Sequence, residues 1–161
     1  MCTWTRHLAA VSLAALAALS TTGCGPTPEA SVPEGFARVE AGEEFAFRTA
    51  NSDGVVVAVR AVDNDPEGDL GFWSSALTKR LERRGYAREG NARAVESKDG
   101  AKGLLHTFRA DAGGRAHVYW LGVYVTDDDV FVVEATGDAE ALDATTRARV
   151  EATIASVDLD A

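Results

Sequence analysis

Alternating carboxylates between positions 63 and 69 form the pattern in this chain that comes nearest to a metal site. Asp63, Asp65 and Glu67 fall at every second position, and Gly68 occupies the place of the sharp turn in an EF-hand loop. Calcium prefers oxygen ligands in this spacing. The twelfth position should then supply a bidentate glutamate, but that position is Ser74. The sequence therefore predicts a solvated acidic loop and no metal site.

His106 and His117 are a second candidate pair of metal ligands, and they flank a Gly-Gly turn. A zinc site needs at least three protein ligands, and no third histidine or available cysteine lies nearby. We expect a hairpin in which Ala110 pairs with Ala116. Because side chains alternate along a strand, this register would place the two histidines on opposite faces of the sheet, with His106 on the side of Trp120. We therefore predict two separate histidines.

Nucleophilic catalysis has little support in the sequence. The candidate serine nucleophiles of the main domain are Ser74, Ser75, Ser97 and Ser156. None of them occupies a Gly-x-Ser-x-Gly elbow, the sharp turn that exposes a nucleophile. A triad can be assembled by folding from distant residues, so a hydrolase stays the least favoured alternative. We predict that the protein is not an enzyme, with no catalytic residues and no cofactor.

Four basic residues stand close together in an otherwise acidic chain, namely Lys79, Arg80, Arg83 and Arg84. They could dock on anionic lipid or on an acidic partner. They could equally form a solvated helix face, since positive charge near a helix C-terminus interacts favourably with the helix dipole. The sequence leaves both interpretations open.

Four aromatic residues are the candidate ligand-binding residues, namely Trp73, Tyr119, Trp120 and Tyr124. Aromatic rings at such positions line a ligand groove in some proteins. In most proteins, rings like these pack in the core or against a sheet. A groove is therefore one prediction and core packing is its alternative.

Cys24 stands where an apolar segment gives way to a polar one. Arg6 and His7 precede an uncharged stretch from Leu8 to Leu19, and the small residues 20–23 lead up to the cysteine. A short basic region, an apolar stretch and small residues in this order are typical of a secretory signal.

The same segment resembles the signals of bacterial lipoproteins, in which the cysteine that follows small residues receives acyl chains. Thr22, Gly23 and Cys24 match the last three positions of such signals. Thr21 stands where leucine is usual. The resemblance implies a signal peptide at 1–23 and palmitate-type lipidation of Cys24. Secretion with a free thiol is the alternative, and an uncleaved anchor comes last because a spanning helix needs roughly 20 apolar residues.

Composition limits the partners that the protein can have. The chain has 161 residues, and removal of the predicted signal leaves 138, enough for one domain without a disulfide or metal. The signal takes away one of the 16 basic residues and none of the 25 acidic ones, which leaves a net charge of −10. Since nucleic-acid binding depends on a basic surface, we predict no nucleic-acid partner.

The predicted organisation is a flexible tether at 24–35 and a single domain at 36–161. The tether is rich in proline and has no apolar periodicity. Seven strands are predicted, at Phe36–Val39, Phe45–Thr49, Val55–Val62, Ala92–Ser97, Gly103–Ala110, Ala116–Thr126 and Val130–Thr136. One helix is predicted from Leu70 to Arg84, and a second from an N-cap at Asp138 to Ser156. The order predicts an α+β domain in which two main helices pack on an antiparallel sheet of six to seven strands, a meander in its second half.

This layout resembles the Mog1/PsbP-like fold, which occurs in small secreted lipoproteins and in photosystem-associated subunits. The resemblance covers about residues 36–159 and depends on the order of the elements. Three segments carry it further, at 72–86, 130–137 and 154–157. Members of that fold class are mostly non-enzymatic binding or assembly factors, so the resemblance implies binding, although a fold alone does not fix a function.

Together these features predict a lipid-anchored extracytoplasmic module of the cell envelope. It would attach to a bacterial membrane through the acyl groups on Cys24 and would bind an envelope protein. The outer membrane is favoured where the organism has one, because Gly25 and Pro26 lack the aspartate that resembles an inner-membrane retention signal. A small-molecule carrier with a pocket between sheet and helix is the alternative.

Overall fold

The computed structural model describes residues 26–160, so the predicted signal peptide at 1–23 and the predicted lipidation site at Cys24 lie outside the described residues. The predicted α+β class is confirmed. The strands are β1 (Phe36–Arg38), β2 (Phe47–Asn51), β3 (Val56–Asp63), β4 (Ala87–Glu96), β5 (Lys102–Ala112), β6 (Arg115–Val125) and β7 (Asp129–Asp138). The helices are α1 (Leu70–Arg83) and α2 (Ala144–Ala155).

All seven strands form one antiparallel sheet in the order β1-β2-β3-β7-β6-β5-β4. Strands β4 to β7 are the predicted meander, and β7 also pairs with β3, which joins the two halves of the chain. Strand β6 is covered on both faces, as its two apolar sets predict. Trp120 and Tyr124 are buried in the core beneath α2, while Leu121 and Val123 are buried in the core beneath α1. The helices therefore cover opposite faces of the sheet.

Helix α1 forms where the sequence predicts it. The Asp69 side chain caps its N-terminus by accepting a hydrogen bond from the Phe72 amide at 2.7 Å. Its apolar stripe, Leu70, Trp73, Leu77 and Leu81, packs on the sheet. Gly85 follows the last turn with a φ of +91°, a left-handed conformation that suits glycine after a helix.

Helix α2 begins later than predicted. Asp138 is not its N-cap, because β7 continues to that residue and pairs it with His117. The cap is Asp143, whose carboxylate accepts a hydrogen bond from the Thr146 amide at 2.8 Å. Both aspartates are suitable caps by residue type. The long-range pairing of β7 with β6 decides between them, and it is not visible in the local sequence.

Strand β4 is longer than predicted, since it begins at Ala87 and not at Ala92. It is an edge strand, and its residues are almost all exposed. Its pairing with β5 is irregular between Glu89 and Arg93, where Gly90 has a φ of +71°. A strand without a buried face shows no alternation of apolar and polar residues, so the prediction lacked its usual signal. The irregularity and the charges also protect an exposed edge from aggregation.

Residues 26–35, which belong to the predicted tether, make specific contacts with the domain. Glu29 and Asp158 exchange two backbone hydrogen bonds of 2.8 and 3.0 Å. The Ser31 amide donates to the Ser156 hydroxyl at 2.9 Å. This segment lies on the α2 side of the sheet, because Ala30 packs against the core beneath α2. Between residues 26 and 160, no helix has both the length and the apolar character needed to cross a bilayer.

Candidate functional site

A depression of about 290 Å³ lies between the C-terminal half of α1 and the sheet, and we call it the α1 groove. Its apolar lining comes from Phe45 and from Leu77 and Leu81 of the helix, and the buried Leu121 of β6 lies beneath them. Its polar lining comes from Glu44, Arg60, Arg80, Arg84, Tyr86, Tyr119 and Glu134. Most of the lining residues are polar or charged, so the groove differs from the mainly apolar pockets that hold small molecules and suits a ligand with polar or charged groups.

The groove contains an ion pair between neighbouring strands of the sheet. Arg60 on β3 donates to the Glu134 carboxylate on β7 at 2.9 Å, and their side chains are 29% and 18% exposed. Tyr119 on β6 lies beside this pair. Burial, and then the nearby carboxylate of Glu134, raises the pKa of the Tyr119 hydroxyl above its ordinary value of 10.0. The hydroxyl therefore stays protonated and is available as a hydrogen-bond donor.

Helix α1 separates the predicted basic cluster into two pairs. Arg80 and Arg84 are four residues apart, so they share one side of the helix and line the α1 groove. Lys79 and Arg83 also lie four residues apart, but they line a shallow depression on the outer surface of the helix beside the exposed Phe72. Within residues 26–160, none of the four cations forms an ion pair with a carboxylate.

Two further features define the groove at its ends. Tyr86 and Tyr119 stack edge to face at one end, with ring centroids 5.3 Å apart. Toward the start of α1 a smaller depression of about 130 Å³ shares Arg60, Leu77 and Arg80 with the groove and reaches Trp73. The groove is thus polar beside Arg84 and becomes apolar toward Trp73.

The four predicted ligand-binding aromatics do not form one site. Trp73 and Tyr119 lie on the α1 side of the sheet, and Tyr119 lines the α1 groove. Trp120 and Tyr124 are buried on the α2 side, where they belong to the main core. The Tyr124 hydroxyl donates to the backbone oxygen of Ile154 at 3.4 Å, and burial, followed by the charge of Asp99, raises its pKa to about 12. Core packing therefore accounts for two of the four.

Ser74 and His106 form a buried hydrogen bond that the sequence interpretation did not foresee. The Ser74 hydroxyl lies 2.6 Å from Nε2 of His106, and the two residues are 5% and 4% exposed. This bond links α1 to β5. Burial, and then the charge of Arg88, lowers the pKa of the imidazole below its ordinary value of 6.5. Ser74 lies on the apolar face of α1, and a polar residue there needs a buried partner, which was the available signal.

The Ser74–His106 pair lacks the other parts of a nucleophilic site. In a catalytic triad the second imidazole nitrogen donates to an acidic group, which orients the ring. Among the described residues, Nδ1 of His106 has no hydrogen-bond partner. A substrate would also need to reach a serine that is almost fully buried. This pair is therefore suited to holding α1 on the sheet.

The acidic loop is organised by an amide and not by its carboxylates. The side-chain oxygen of Asn64 accepts hydrogen bonds from the Gly68 amide at 3.0 Å and from Nε1 of Trp73 at 2.6 Å. Its side-chain nitrogen donates to the Thr126 backbone oxygen at 3.1 Å. In the part of the chain that the structure describes, no three metal-ligating side chains gather into one cluster.

The prediction that the two histidines lie on opposite faces of the sheet is wrong. Ala110 pairs with His117 and not with Ala116, so the register of the hairpin differs from the expected one by one residue. A shift of one residue moves a side chain to the other face. His106 lies opposite Leu121, about 13 Å along the sheet from His117. His117 instead contacts the Asp138 carboxylate at 2.9 Å.

Comparison with known proteins identifies the fold. No family model matches the sequence, and no curated protein matches it significantly. Among solved structures, the chain is similar to LpqN of Mycobacterium tuberculosis, with a TM-score of 0.56 and 16% identity over 83% of this chain and 84% of that chain. The LpqN structure is described as that of a protein involved in cell envelope biogenesis.

Two other structures are similar to the same extent. The cyanobacterial PsbP protein of Synechocystis has a TM-score of 0.55 and 14% identity, over 83% of this chain and 86% of that chain. A Bacteroides thetaiotaomicron protein has a TM-score of 0.54 and 16% identity over 83% of this chain. The chain spans less than half of that protein's length, 45%. At identities this low, the structural likeness establishes the fold alone, and that fold is Mog1/PsbP-like.

Proposed function

We propose that this protein is a lipid-anchored extracytoplasmic module that binds another protein of the cell envelope and catalyses no reaction. The α1 groove is the observation that carries the proposal. It is open to solvent, and it combines an apolar surface with Arg80 and Arg84, whose charges have no acidic partner among residues 26–160. Arginine and tyrosine beside apolar surface are enriched in protein interfaces.

The envelope location is supported by two independent features. The sequence at 20–24 has the order of small residues and cysteine that precedes acyl attachment in bacterial lipoproteins. The fold is shared with LpqN, a protein involved in cell envelope biogenesis. The absence of catalysis is supported by the burial of the Ser74–His106 pair and by its incomplete hydrogen bonding.

Mass spectrometry of the mature N-terminus tests the anchor. We expect acyl chains on Cys24 and loss of residues 1–23. Cys24→Ser should abolish acylation and release the protein from membranes. Cys2→Ser is the matched control, since it removes the other cysteine and should leave acylation unchanged. A free thiol on Cys24, or a mature chain that retains residues 1–23, would contradict the proposed anchor.

Site-specific photo-cross-linking in intact cells tests the binding face. A photoreactive residue in place of Glu44, which lines the α1 groove, should give one discrete product with a partner protein. The same residue in place of Ala148, exposed on α2, is the control and should give none. Equal products from both positions, or no product from Glu44, would count against a binding module.

A small-molecule carrier is the second candidate, and the apolar extension of the groove beside Trp73 favours it. Native mass spectrometry of the purified protein separates the two candidates. A bound compound that dissociates on unfolding would support a carrier. A protein with no added mass beyond the acyl groups on Cys24, together with a cross-link from Glu44, would support the module.

A further inference from the structure

Positive charge is concentrated on one helix of an acidic protein. The chain carries a net charge of −9, whereas α1 and its C-cap hold Lys79, Arg80, Arg83 and Arg84. Glu82 is the acidic residue within that stretch, and its carboxylate already pairs with Arg88 at 3.1 Å. The four cations therefore keep their charges available, and a local basic site in an acidic surface attracts anionic groups selectively.

Arg80 and Arg84 are placed to hold a carboxylate in the α1 groove. Residues four apart on a helix have Cβ atoms about 6 Å from each other, so two guanidinium groups can converge on one anion. Guanidinium binds carboxylate through paired hydrogen bonds of matching geometry. Two carboxylates line the groove beside these arginines: Glu134 accepts from Arg60, and Glu44 forms no ion pair with a basic side chain of residues 26–160.

The groove also provides a site for an apolar side chain next to that carboxylate. Leu77, Leu81 and Leu121 line it, and the stacked rings of Tyr86 and Tyr119 lie at its end. A volume of about 290 Å³ is at the lower limit of small-molecule sites. It therefore suits one or two side chains of a larger partner.

The position of α1 favours a protein partner over the lipid surface to which the chain would be anchored. The segment around Glu29 lies on the α2 side of the sheet, through its bridge to Asp158 and the packing of Ala30. Cys24 is five residues before Glu29, a reach of at most about 18 Å. An acyl anchor there would hold the α2 side near the bilayer, and the α1 groove would face away from it.

We propose that the α1 groove binds a carboxylate-bearing, partly apolar peptide segment of a partner protein, with Arg80 and Arg84 on the carboxylate and the leucine surface on the neighbouring side chain. This inference rests on the proposed function, and it names the chemistry of the partner at the same groove. The contact is ionic at one end and apolar at the other, so added salt should weaken it without abolishing it.

Fluorescence anisotropy with two labelled decapeptides tests the proposal. One peptide alternates glutamate with leucine, and the other alternates glutamine with leucine. The full mature protein should bind the first and not the second. The double variant Arg80→Gln/Arg84→Gln should lose about tenfold or more in affinity, as expected for charge-assisted hydrogen bonds. The double variant Lys79→Gln/Arg83→Gln removes the same charge from the same helix and should stay within about twofold.

Three results would overturn the proposal. The first is no binding of the glutamate peptide by the unaltered protein. The second is equal weakening by the two double variants, which would mean diffuse attraction to a charged helix. The third is displacement of the peptide by vesicles of 30% phosphatidylglycerol in phosphatidylcholine, which would identify a lipid headgroup site. Circular dichroism melts of both double variants check that each remains folded.

The peptide and cross-linking experiments fail in distinguishable ways. A cross-link from Glu44 without peptide binding would still support a binding module, but it would refute the claim that the groove binds a carboxylate-bearing segment. Peptide binding without any cross-link would confirm the chemistry of the groove and refute the proposed protein partner in cells.

Discussion

The two faces of the sheet differ in how completely they are closed. Beneath α2 the core is continuous, and Val57, Tyr124 and Ile154 are almost inaccessible to solvent. Beneath α1 the core is smaller, and the leucines of the helix remain half-buried beside an open groove. We therefore expect the core beneath α2 to contribute more to the free energy of unfolding, whereas the α1 side has exposed surface that a ligand could cover.

Ion pairs occur on both faces of the sheet. On the α2 side, Arg93 pairs with Glu151 at 2.7 Å and Lys98 pairs with Asp158 at 2.8 Å. On the α1 side, Arg60 pairs with Glu134 and Arg88 with Glu82, but Arg80 and Arg84 have no such partners among residues 26–160. Ion pairs within a chain leave little charge for a partner, so unpaired cations on one face are a better indicator of binding than a count of basic residues.

The largest expected difference between the faces lies in their cores. Ile154→Ala should lower the free energy of unfolding by about 3 kcal/mol, because it leaves a cavity in closed packing. Leu77→Ala, its counterpart beneath α1, should cost only about 1.5 kcal/mol since its side chain is already partly in solvent. Urea denaturation measures both. Equal losses would mean that the two faces are equally closed.

The bond between Ser74 and His106 is a buried polar link between α1 and the sheet. Ser74→Ala should lower the free energy of unfolding by about 2 kcal/mol, because Nε2 of His106 is left buried without a partner. The double variant Ser74→Ala/His106→Leu should recover part of that loss, since both polar groups are then gone. Denaturation of both variants and of His106→Leu completes a double-mutant cycle. A double variant that loses the sum of the two single losses would argue against a coupled pair.

The same pair makes the α1 side sensitive to acid. The pKa of His106 is lower in the folded protein than its ordinary value of 6.5, so below pH 6.5 the unfolded chain binds more protons than the folded one. The contribution of His106 to the free energy of unfolding should therefore be complete above pH 6.5. It should decline as the pH falls from 6.5 toward the lower pKa of the folded protein. Urea midpoints between pH 8 and pH 5 measure this decline. The decline should be weaker in Ser74→Ala/His106→Leu, and an unchanged decline would assign it to other groups.

The smallest expected effect concerns the ion pairs of the two faces. Arg93→Gln should change the free energy of unfolding by less than about 0.5 kcal/mol, because that pair is about half exposed. Arg60→Gln should cost about 1 kcal/mol or more, since Arg60 and Glu134 are largely buried and Glu134 would lose its partner. Thermal melts of the two variants compare them. A greater loss for Arg93→Gln would contradict the expectation that the less exposed ion pair is the stronger one.

Elements with a strong local pattern were predictable from the sequence. The apolar stripe of α1 and the two apolar sets of β6 gave those elements to within one residue at each end. The start of α2 and the register of the β5–β6 hairpin were not predictable. Two capping aspartates, Asp138 and Asp143, were available, and the pairing of His117 with Asp138 decided between them across more than twenty residues.

The candidate site was only partly accessible to sequence reasoning. Arg80, Arg84 and Tyr119 were all identified as candidates, but in two unrelated groups. All three line one groove, which also contains the ion pair of Arg60 with Glu134. The position of Arg60 in that groove depends on the pairing of β3 with β7. Those strands are some seventy positions apart, and no local pattern specifies such a contact. The sequence around Ser74 lacks a nucleophile elbow, and only the packing of α1 on β5 brings Ser74 to His106.

The bridge between Glu29 and Asp158 has a mechanical consequence. It joins the first and last parts of the described chain at one corner through two backbone hydrogen bonds. A pulling force applied upstream of Glu29 would load those two bonds, together with the bond from Ser31 to Ser156, before any strand of the sheet. Opening of these bonds would lengthen the link between the domain and an upstream anchor, and neither Glu29 nor Asp158 lines the α1 groove.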